Sequence, residues 1–197
     1  MWEERYSAEG YLFGTEPAEF LVRQADLLAP EAEVLMVADG EGRNSVFLAA
    51  RGLSVTAADA SPVGVAKAKK LAEERGVDVE FKVADFLEWD WRPEAFDAVV
   101  AIFIQFLDPA QRSIVFDGMK RTLRPGGRLL LHGYRPEQLA YGTGGPPVAE
   151  NLYTEKLLAD AFADMKVEVL KAYDATITEG TGHDGMSALI DLVAVKL

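Results

Sequence analysis

Several residue types are absent or scarce in this chain, and each absence excludes a class of chemistry. The 197 residues include no cysteine and only two histidines. Without cysteine the chain forms no disulfide, no thiolate nucleophile and no cysteine-ligated metal site. His132 and His183 lie far apart with no metal-ligand pattern around them, and no serine lies in a nucleophile-elbow motif. We therefore expect neither a metal centre nor a serine triad.

Long apolar runs and clustered positive charge are also missing. No stretch reaches membrane-spanning length, and the N-terminal MWEERYSAEG is charged and lacks the apolar core of a signal peptide. The formal net charge is −12, with lysine and arginine scattered, whereas nucleic-acid binding needs a basic face. We expect a cytoplasmic monomer or homodimer that binds a small molecule, with no nucleic-acid or membrane partner.

The residues that are present predict one α/β domain over 1–197. Hydrophobic residues make up 49% and charged residues 26%, an ordinary globular balance. Five apolar segments alternate with helical segments and are predicted strands: 34–38, 53–59, 77–83, 96–104 and 128–133. Such alternation is typical of a doubly wound parallel sheet of the Rossmann-like kind. Thr15 is the predicted cap of a helix that starts at Glu16, and Ser61 and Asp108 are the predicted caps of two later helices.

The last third of the chain breaks this alternation. GTGGPP, residues 142–147, predicts either a linker or a wall of a site, and a short helix is predicted over 154–162. Two further strands, 166–177 and 186–197, are separated by the loop TEGTGHDG and predict an antiparallel hairpin. The expected sheet therefore has seven mostly parallel strands, with the last inserted antiparallel.

A glycine turn follows the first predicted strand, in VLMVADGEGRNSVFLAARG, residues 34–52. Gly40 and Gly42 permit a sharp reversal, and the helix that follows points its N-terminus over the turn, which suits an anionic or electron-rich group. Asp59 ends the second strand, where an acid can accept both ribose hydroxyls. Asp85 ends the third, where it can bind an adenine amino group while Phe86 stacks on the ring. Together they predict an adenosine site.

Other readings of these residues stay open. The turn is equally consistent with a packing device, Asp59 with an acid of the turn before a helix, and Asp85 with a solvated loop residue. A nicotinamide-dependent oxidoreductase could use the same turn and Asp59, although the third dinucleotide glycine is missing and the terminal hairpin disfavours it. A protein that binds an adenosyl ligand without catalysis is the remaining alternative.

Four segments resemble the successive motifs of class I S-adenosylmethionine-dependent methyltransferases: VLMVADGEGRNSVFLA, AADAS, VADF and LRPGGRLLL. Within that class, GEGRNS, WEERYSAEGYLFGTEPAEFL and EGTGHDG resemble the tellurite-resistance and thiopurine-methyltransferase-like group. The resemblance implies S-adenosylmethionine as the cofactor and methyl transfer to a small-molecule acceptor. A soft acceptor, such as a thiol or a chalcogen oxyanion, would need no general base.

The resemblance also implies site residues. Expected cofactor contacts are Asp39, Gly40, Gly42, Arg43, Asp59, Ala60, Asp85, Phe86 and Ala101. Expected acceptor-wall residues are Tyr11, Phe13, Tyr141 and His183. His183, in a glycine-flanked loop, is the candidate catalytic residue, and His132 is expected to be a packing residue. Two departures from the family pattern bear on cofactor affinity: Met36 stands where an acid is usual, and Ala38 where a first glycine is usual.

Overall fold

A computed structural model, which describes residues 2–197, has a single seven-stranded sheet. The strands are β1 (Glu33–Val37), β2 (Ser54–Asp59), β3 (Glu80–Val83), β4 (Phe96–Ile102), β5 (Leu123–Tyr134), β6 (Met165–Glu179) and β7 (His183–Lys196). Their order is β3-β2-β1-β4-β5-β7-β6. Strands β1 to β5 pair in parallel, and β7 runs antiparallel to both neighbours. The predicted doubly wound sheet with an inserted antiparallel strand is confirmed.

Seven helices connect or flank these strands in the described residues. They are α1 (Trp2–Tyr6), α2 (Glu19–Gln24), α3 (Arg43–Ala50), α4 (Pro62–Arg75), α5 (Pro109–Thr122), α6 (Gln138–Tyr141) and α7 (Glu155–Ala161). Two helix caps that the sequence predicts are present in the structure. The Ser61 hydroxyl accepts from the Gly64 N–H, and Asp108 forms a capping box with Gln111. None of these helices is both long and apolar enough to cross a membrane.

Two predicted element boundaries are wrong, because contacts between distant segments of the chain shift them. Helix α2 begins at Glu19 and not at Glu16, because the Ala18 N–H donates to the Asn44 side chain on α3 and Ala18 stays extended. Thr15 is therefore not its cap. The hairpin loop is shorter than predicted, because β6 and β7 continue pairing to Glu179 and His183. Only residues 180–182 remain between the two strands.

The sheet is covered on both faces, as its nearly continuous apolar strands predict. Along β1, Leu35 and Val37 face one apolar cluster, which α5 completes, while Val34 and Met36 face the other, which α2 and α3 complete. Met36 is thus a core residue. Because parallel strands end at the same edge, residues that follow β1, β2 and β4 are brought together there.

Candidate active site

A cavity of about 670 Å³ lies beyond the carboxyl ends of β1, β2 and β4. This is the edge where the strand order reverses, since β1 has β2 on one side and β4 on the other. One half, called here the cofactor half, is lined by predicted cofactor residues: Asp39, Gly40, Arg43, Asp59, Ala60, Asp85 and Phe86. The other half, called the acceptor half, is lined chiefly by Trp2, Phe13, Phe103, Phe106, Tyr134, Asn151, His183 and residues 144–148.

Asp59 joins the glycine turn to the start of α4. Its Oδ2 accepts from the Gly40 N–H at 2.9 Å, and its Oδ1 accepts from the Ser61 N–H at 2.9 Å. Burial raises the pKa of this carboxyl, while the two N–H groups oppose that rise. Each oxygen keeps a further lone pair, so Asp59 can bind a ribose hydroxyl as well as shape the turn.

The start of the glycine turn carries backbone strain and a desolvated acid. Ala38 has a φ of +52°, in the left-handed region that glycine favours, at the position where the family has a glycine. Asp39 accepts from both the backbone N–H and the hydroxyl of Ser45. Burial raises the pKa of Asp39 to about 6, against those two hydrogen bonds. The turn is therefore held by carboxylates from two neighbouring segments.

Two expected cofactor residues do not line the cavity. Gly42 immediately precedes α3 at a φ of +91°, and a Cβ added there would lie 2.6 Å from the Ala68 Cβ on α4. Its role is close packing of α3 on α4. Ala101 is fully buried in the apolar cluster on one sheet face, so the cavity wall begins one residue later, at Ile102 and Phe103. Chain position alone did not show which way each of these backbone segments faces, and neither residue lines the cavity.

The far end of the cofactor half has the polar and aromatic pair predicted for adenine. Asp85 and Phe86 both line the cavity. The Phe86 ring packs on Trp89 and Trp91, with centroids 5.3 and 5.5 Å apart. The Trp91 indole also lies against Gly118 on α5 and donates to the Phe86 carbonyl. The two tryptophans are packing residues that hold Phe86 in place.

His183, the predicted catalytic residue, is buried in the acceptor half. Its Nδ1 lies 3.8 Å from the Glu179 Oε2, and the same oxygen accepts from Arg43 at 2.7 Å. Burial lowers the pKa of His183, with Glu179 opposing that shift. Although burial alone favours the neutral acid, His183 and Arg43 hold the pKa of Glu179 at about 2. The imidazole is therefore neutral near pH 7, beside a carboxylate that would stabilise its protonated form.

Aromatic rings surround this histidine. The His183 ring centroid lies 4.4 Å from Phe13, 4.2 Å from Phe103 and 5.6 Å from Tyr134. Phe103 has a φ of +56°, which is unusual for a bulky residue and is the kind of strain found at functional sites. This conformation holds its ring between His183 and His132, whose centroid is 4.8 Å away.

Two expected acceptor-wall residues lie outside the cavity. Tyr11 packs on α4, where its hydroxyl donates to the Lys67 carbonyl at 3.4 Å. Tyr141, at the end of α6, is exposed and donates to Asp174 on β6 at 3.0 Å. The other two expected residues, Phe13 and His183, line the cavity.

The glycine- and proline-rich loop forms a wall of the site and not a linker. A Cβ at Gly144 would lie 2.8 Å from the Tyr134 hydroxyl, and one at Gly145 would lie 2.8 Å from the Tyr134 ring. These glycines let the loop backbone lie directly against Tyr134. The wall is thus built by the segment between β5 and α7.

Sequence reasoning missed five side chains on the wall of this half, and Glu179 behind it; the five are Trp2, Phe103, Phe106, Tyr134 and Asn151. Phe103 and Tyr134 directly follow or end a parallel strand, the same signal that identified Asp59, and could have been found by it. Glu179 lies in the TEGTGHDG motif beside His183. Asn151 follows the glycine- and proline-rich loop in a short 3₁₀ turn and has no sequence signal.

His132 is a buried packing residue, as expected, but it also belongs to a polar network. Its Nδ1 lies 2.6 Å from the Asp191 Oδ1, and Phe20 stacks on its ring. Tyr173 and Arg23 donate to the same aspartate. Within residues 2–197, no three histidine, aspartate or glutamate side chains cluster as metal ligands.

Comparison with known proteins relates this site to methyltransferases. Residues 34–127 match the family model described as a methyltransferase domain. The chain is 36% identical over 118 residues to the demethylmenaquinone methyltransferase of Thermus thermophilus, an alignment that covers 58% of this chain and 53% of that protein. Its fold matches an S-adenosylmethionine-dependent methyltransferase of Methanosarcina mazei with a TM-score of 0.74 and 21% identity, over 92% of this chain and 99% of the other. TehB from Haemophilus influenzae matches with a TM-score of 0.73 and 19% identity, over 90% of this chain and 61% of TehB.

The sequence similarity covers only part of the chain, whereas the similarity in fold covers most of it. The chain spans 53% of the T. thermophilus relative and 59% of the rat glycine N-methyltransferase, to which it is 28% identical. The two structural neighbours agree with it in fold over most of its length. Residues 34–127 therefore resemble a methyltransferase domain, and the whole chain has the fold of solved S-adenosylmethionine-dependent methyltransferases.

Proposed function

We propose that the protein is an S-adenosylmethionine-dependent methyltransferase that acts on a small-molecule acceptor. The observation that carries this proposal is the continuity of the cavity, which joins the carboxylate-lined glycine turn directly to an aromatic chamber containing His183. A volume of about 670 Å³ lies within the usual range for ligand sites and allows a nucleoside cofactor and a small acceptor to bind side by side.

The residues of the cofactor half fit S-adenosylmethionine. Asp59 would bind the ribose hydroxyls, Asp85 and Phe86 the adenine, and the backbone at Gly40 together with Arg43 the methionine end. Bound there, the cofactor supplies a methyl group on a positively charged sulfur, ready for in-line displacement.

The chain itself mainly aligns the reactants and excludes water. The α1 helix and residues 144–148 wall the cavity, so an acceptor is enclosed between them. His183 lies in that enclosed space as a neutral base, and its protonated form would be stabilised by Glu179. We infer that residues 1–197 act as one domain, because all seven strands share one sheet. The cytoplasmic location and the monomeric or dimeric state stay predictions.

The acceptor named by the resemblance is soft, a thiol or a chalcogen oxyanion of the kind handled in the tellurite-resistance and thiopurine group. Similarity to TehB at 19% identity supports the fold alone. The shape and polarity of the chamber bear more directly on the acceptor class.

Ala38 favours one competing proposal, a protein that binds the cofactor without turnover. Its strained backbone stands at the turn where the family has glycine. A binding defect there would reduce cofactor affinity without removing any acceptor-side group.

Calorimetry followed by methyl-transfer assays separates these functions. We expect S-adenosylmethionine and S-adenosylhomocysteine to bind and NAD not to bind, since the third dinucleotide glycine is missing. Transfer of labelled methyl from the cofactor to any member of a panel of phenols, thiols and tellurite would establish catalysis. Cofactor binding with no transfer across the panel favours the non-catalytic alternative, and binding of NAD alone overturns the proposal.

A further inference from the structure

The acceptor half of the cavity contains buried polar atoms that no protein group satisfies. Within residues 2–197, five buried side-chain polar atoms have no hydrogen-bond partner. Three of them belong to cavity-lining residues: the Tyr134 hydroxyl, the Asn151 Oδ1 and the His183 Nδ1. The Ser187 hydroxyl is close to Tyr134 but donates to the Gly185 carbonyl. Leaving a buried polar group unsatisfied is costly. Because the His183 Nδ1 faces Glu179 at 3.8 Å, the Tyr134 hydroxyl and the Asn151 Oδ1 are the two atoms that indicate partners supplied by a ligand.

The same chamber has no uncompensated charge. Arg43 is paired with Glu179 in a buried ion pair, and burial keeps His183 neutral near pH 7. Arg5 lies at the exposed rim, with its guanidinium 4.6 Å from the centre of the Trp2 ring. An acceptor anion would be desolvated here with no free cation of the described chain to pair with it, which is costly.

Aromatic rings line the walls of the chamber. Trp2 packs against Phe13 and Phe106, with centroids 6.4 and 6.3 Å apart, and Phe103 packs against Tyr134 at 4.6 Å. Aromatic faces and edges of this kind bind a flat apolar molecule through area and ring stacking. The chamber therefore combines a ring-binding wall with unsatisfied hydrogen-bonding groups.

We propose, on the basis of the methyltransferase function above, that the acceptor is an uncharged aromatic alcohol of the phenol class. A phenolic hydroxyl can accept from Tyr134 and donate to the Asn151 amide or to His183, whereas a carboxylate or a thiolate would bring a charge. As the phenolic oxygen forms its bond to the methyl carbon, the carbon–sulfur bond breaks and its electron pair stays on sulfur. The hydroxyl proton passes to the His183 imidazole and then to solvent. The products are the aryl methyl ether, the neutral thioether and one proton.

Binding of matched probes tests this assignment without turnover. Calorimetry first measures S-adenosylhomocysteine, and its failure to bind would count against the proposed function and not against the acceptor class. The protein saturated with it is then titrated with 2-naphthol and with 2-naphthoate, which share a ring system and differ in charge, and with the smaller pair phenol and benzoate. We expect each alcohol to bind at least tenfold more tightly than its carboxylate. We also expect that tellurite does not compete with 2-naphthol for binding. Equal or tighter binding of the carboxylates, or no binding of either alcohol, overturns the assignment.

Three variants separate a ligand-binding role from a structural one. Tyr134→Phe and Asn151→Leu should each weaken 2-naphthol binding about tenfold and leave S-adenosylhomocysteine affinity within twofold. Their Tm should be unchanged or higher, because no protein hydrogen bond is lost. Tyr153→Phe is the matched control, since Tyr153 also has a buried unpartnered hydroxyl but lies in the apolar core outside the cavity. If Tyr153→Phe weakens 2-naphthol as much as the others do, or if neither cavity variant weakens it, the proposal is wrong.

Discussion

Ala38 is the residue at which backbone geometry conflicts most directly with residue type. Its φ of +52° is costly for a residue with a Cβ and open to glycine. We expect Ala38→Gly to raise the free energy of unfolding by about 0.5–1 kcal/mol, after the larger unfolded-state entropy of glycine is subtracted. Urea denaturation measures this change. Ala29→Gly, at an exposed turn residue without a positive φ, should instead lower stability, and a loss at both positions would contradict the prediction.

Asp59 has a structural role as well as a binding role, so its removal should affect two measurements. Asp59→Ala removes the acceptor for the Gly40 and Ser61 N–H groups and should lower the free energy of unfolding by about 1–3 kcal/mol. The variant also loses a charge-assisted contact to the ligand. The binding free energy of S-adenosylhomocysteine should therefore weaken by about 1.5–3 kcal/mol, measured by calorimetry on the folded variant. Asp108→Ala removes an exposed helix cap whose side chain does not line the cavity, and should cost stability alone. Unchanged ligand affinity in Asp59→Ala would remove Asp59 from the site.

His183 offers a direct measurement because the chain has only two histidines. Burial lowers the pKa of His183, reinforced by Arg43 and His132 and opposed by Glu179. NMR titration should give its ring a midpoint below the ordinary value of about 6.5, with His183→Gln assigning the signal. As pH falls, the unfolded chain therefore binds a proton at this residue before the folded chain does. The free energy of unfolding should then decrease as pH falls below about 6.5. A midpoint above 6.5 would contradict the buried neutral base.

At the scale of elements, the short turn between β6 and β7 fixes the N-terminal segment. The N–H groups of Thr181 and Gly182 both donate to the Leu12 carbonyl, and a Cβ at Gly180 would meet that carbonyl. Gly180→Ala therefore adds a steric clash to the cost of its φ of +68°. We expect it to displace residues 12–14 and to accelerate tryptic cleavage after Arg5.

Gly76→Ala is the control for this prediction. Gly76 has nearly the same φ, +65°, and open space around it. It should cost about 1 kcal/mol of stability without changing the cleavage rate at Arg5. Equal cleavage rates and equal stability losses in the two variants would show that the turn does not hold the segment.

At the scale of the whole molecule, cofactor binding should stabilise the fold through linkage. A ligand at a hundredfold excess over its Kd adds about 2.7 kcal/mol to the free energy of unfolding. For a chain of this length, S-adenosylhomocysteine should raise Tm by roughly 5–10 °C, because about 1 kcal/mol shifts Tm by some 2–4 °C. NAD at the same concentration is the control and should give no shift. Equal shifts with both ligands would point to a less selective nucleotide site.

The sequence by itself determined the order and type of the main elements, and it predicted that most of the expected cofactor residues lie at one edge of the sheet. Apolar runs of strand length, the caps at Ser61 and Asp108 and the C-terminal hairpin pattern are local signals, and the structure forms each of them. Strand-end reasoning brought Asp59, Asp85 and the glycine turn to one edge, because parallel strands impose a shared edge whatever their lateral order. His183 and Phe13 came from motif resemblance and also line the cavity.

Only the tertiary structure decided which side chains face the cavity and how the acceptor half is built. Gly42 packs against Ala68 and Ala101 lies in the core, while Tyr11 and Tyr141 face away, since side-chain direction depends on each segment's path over its neighbours. Glu179, Tyr134 and Asn151 come together from separate segments. Whether their polar atoms are paired or unsatisfied depends on burial and on distances across the fold. Local sequence patterns do not encode these properties of packing.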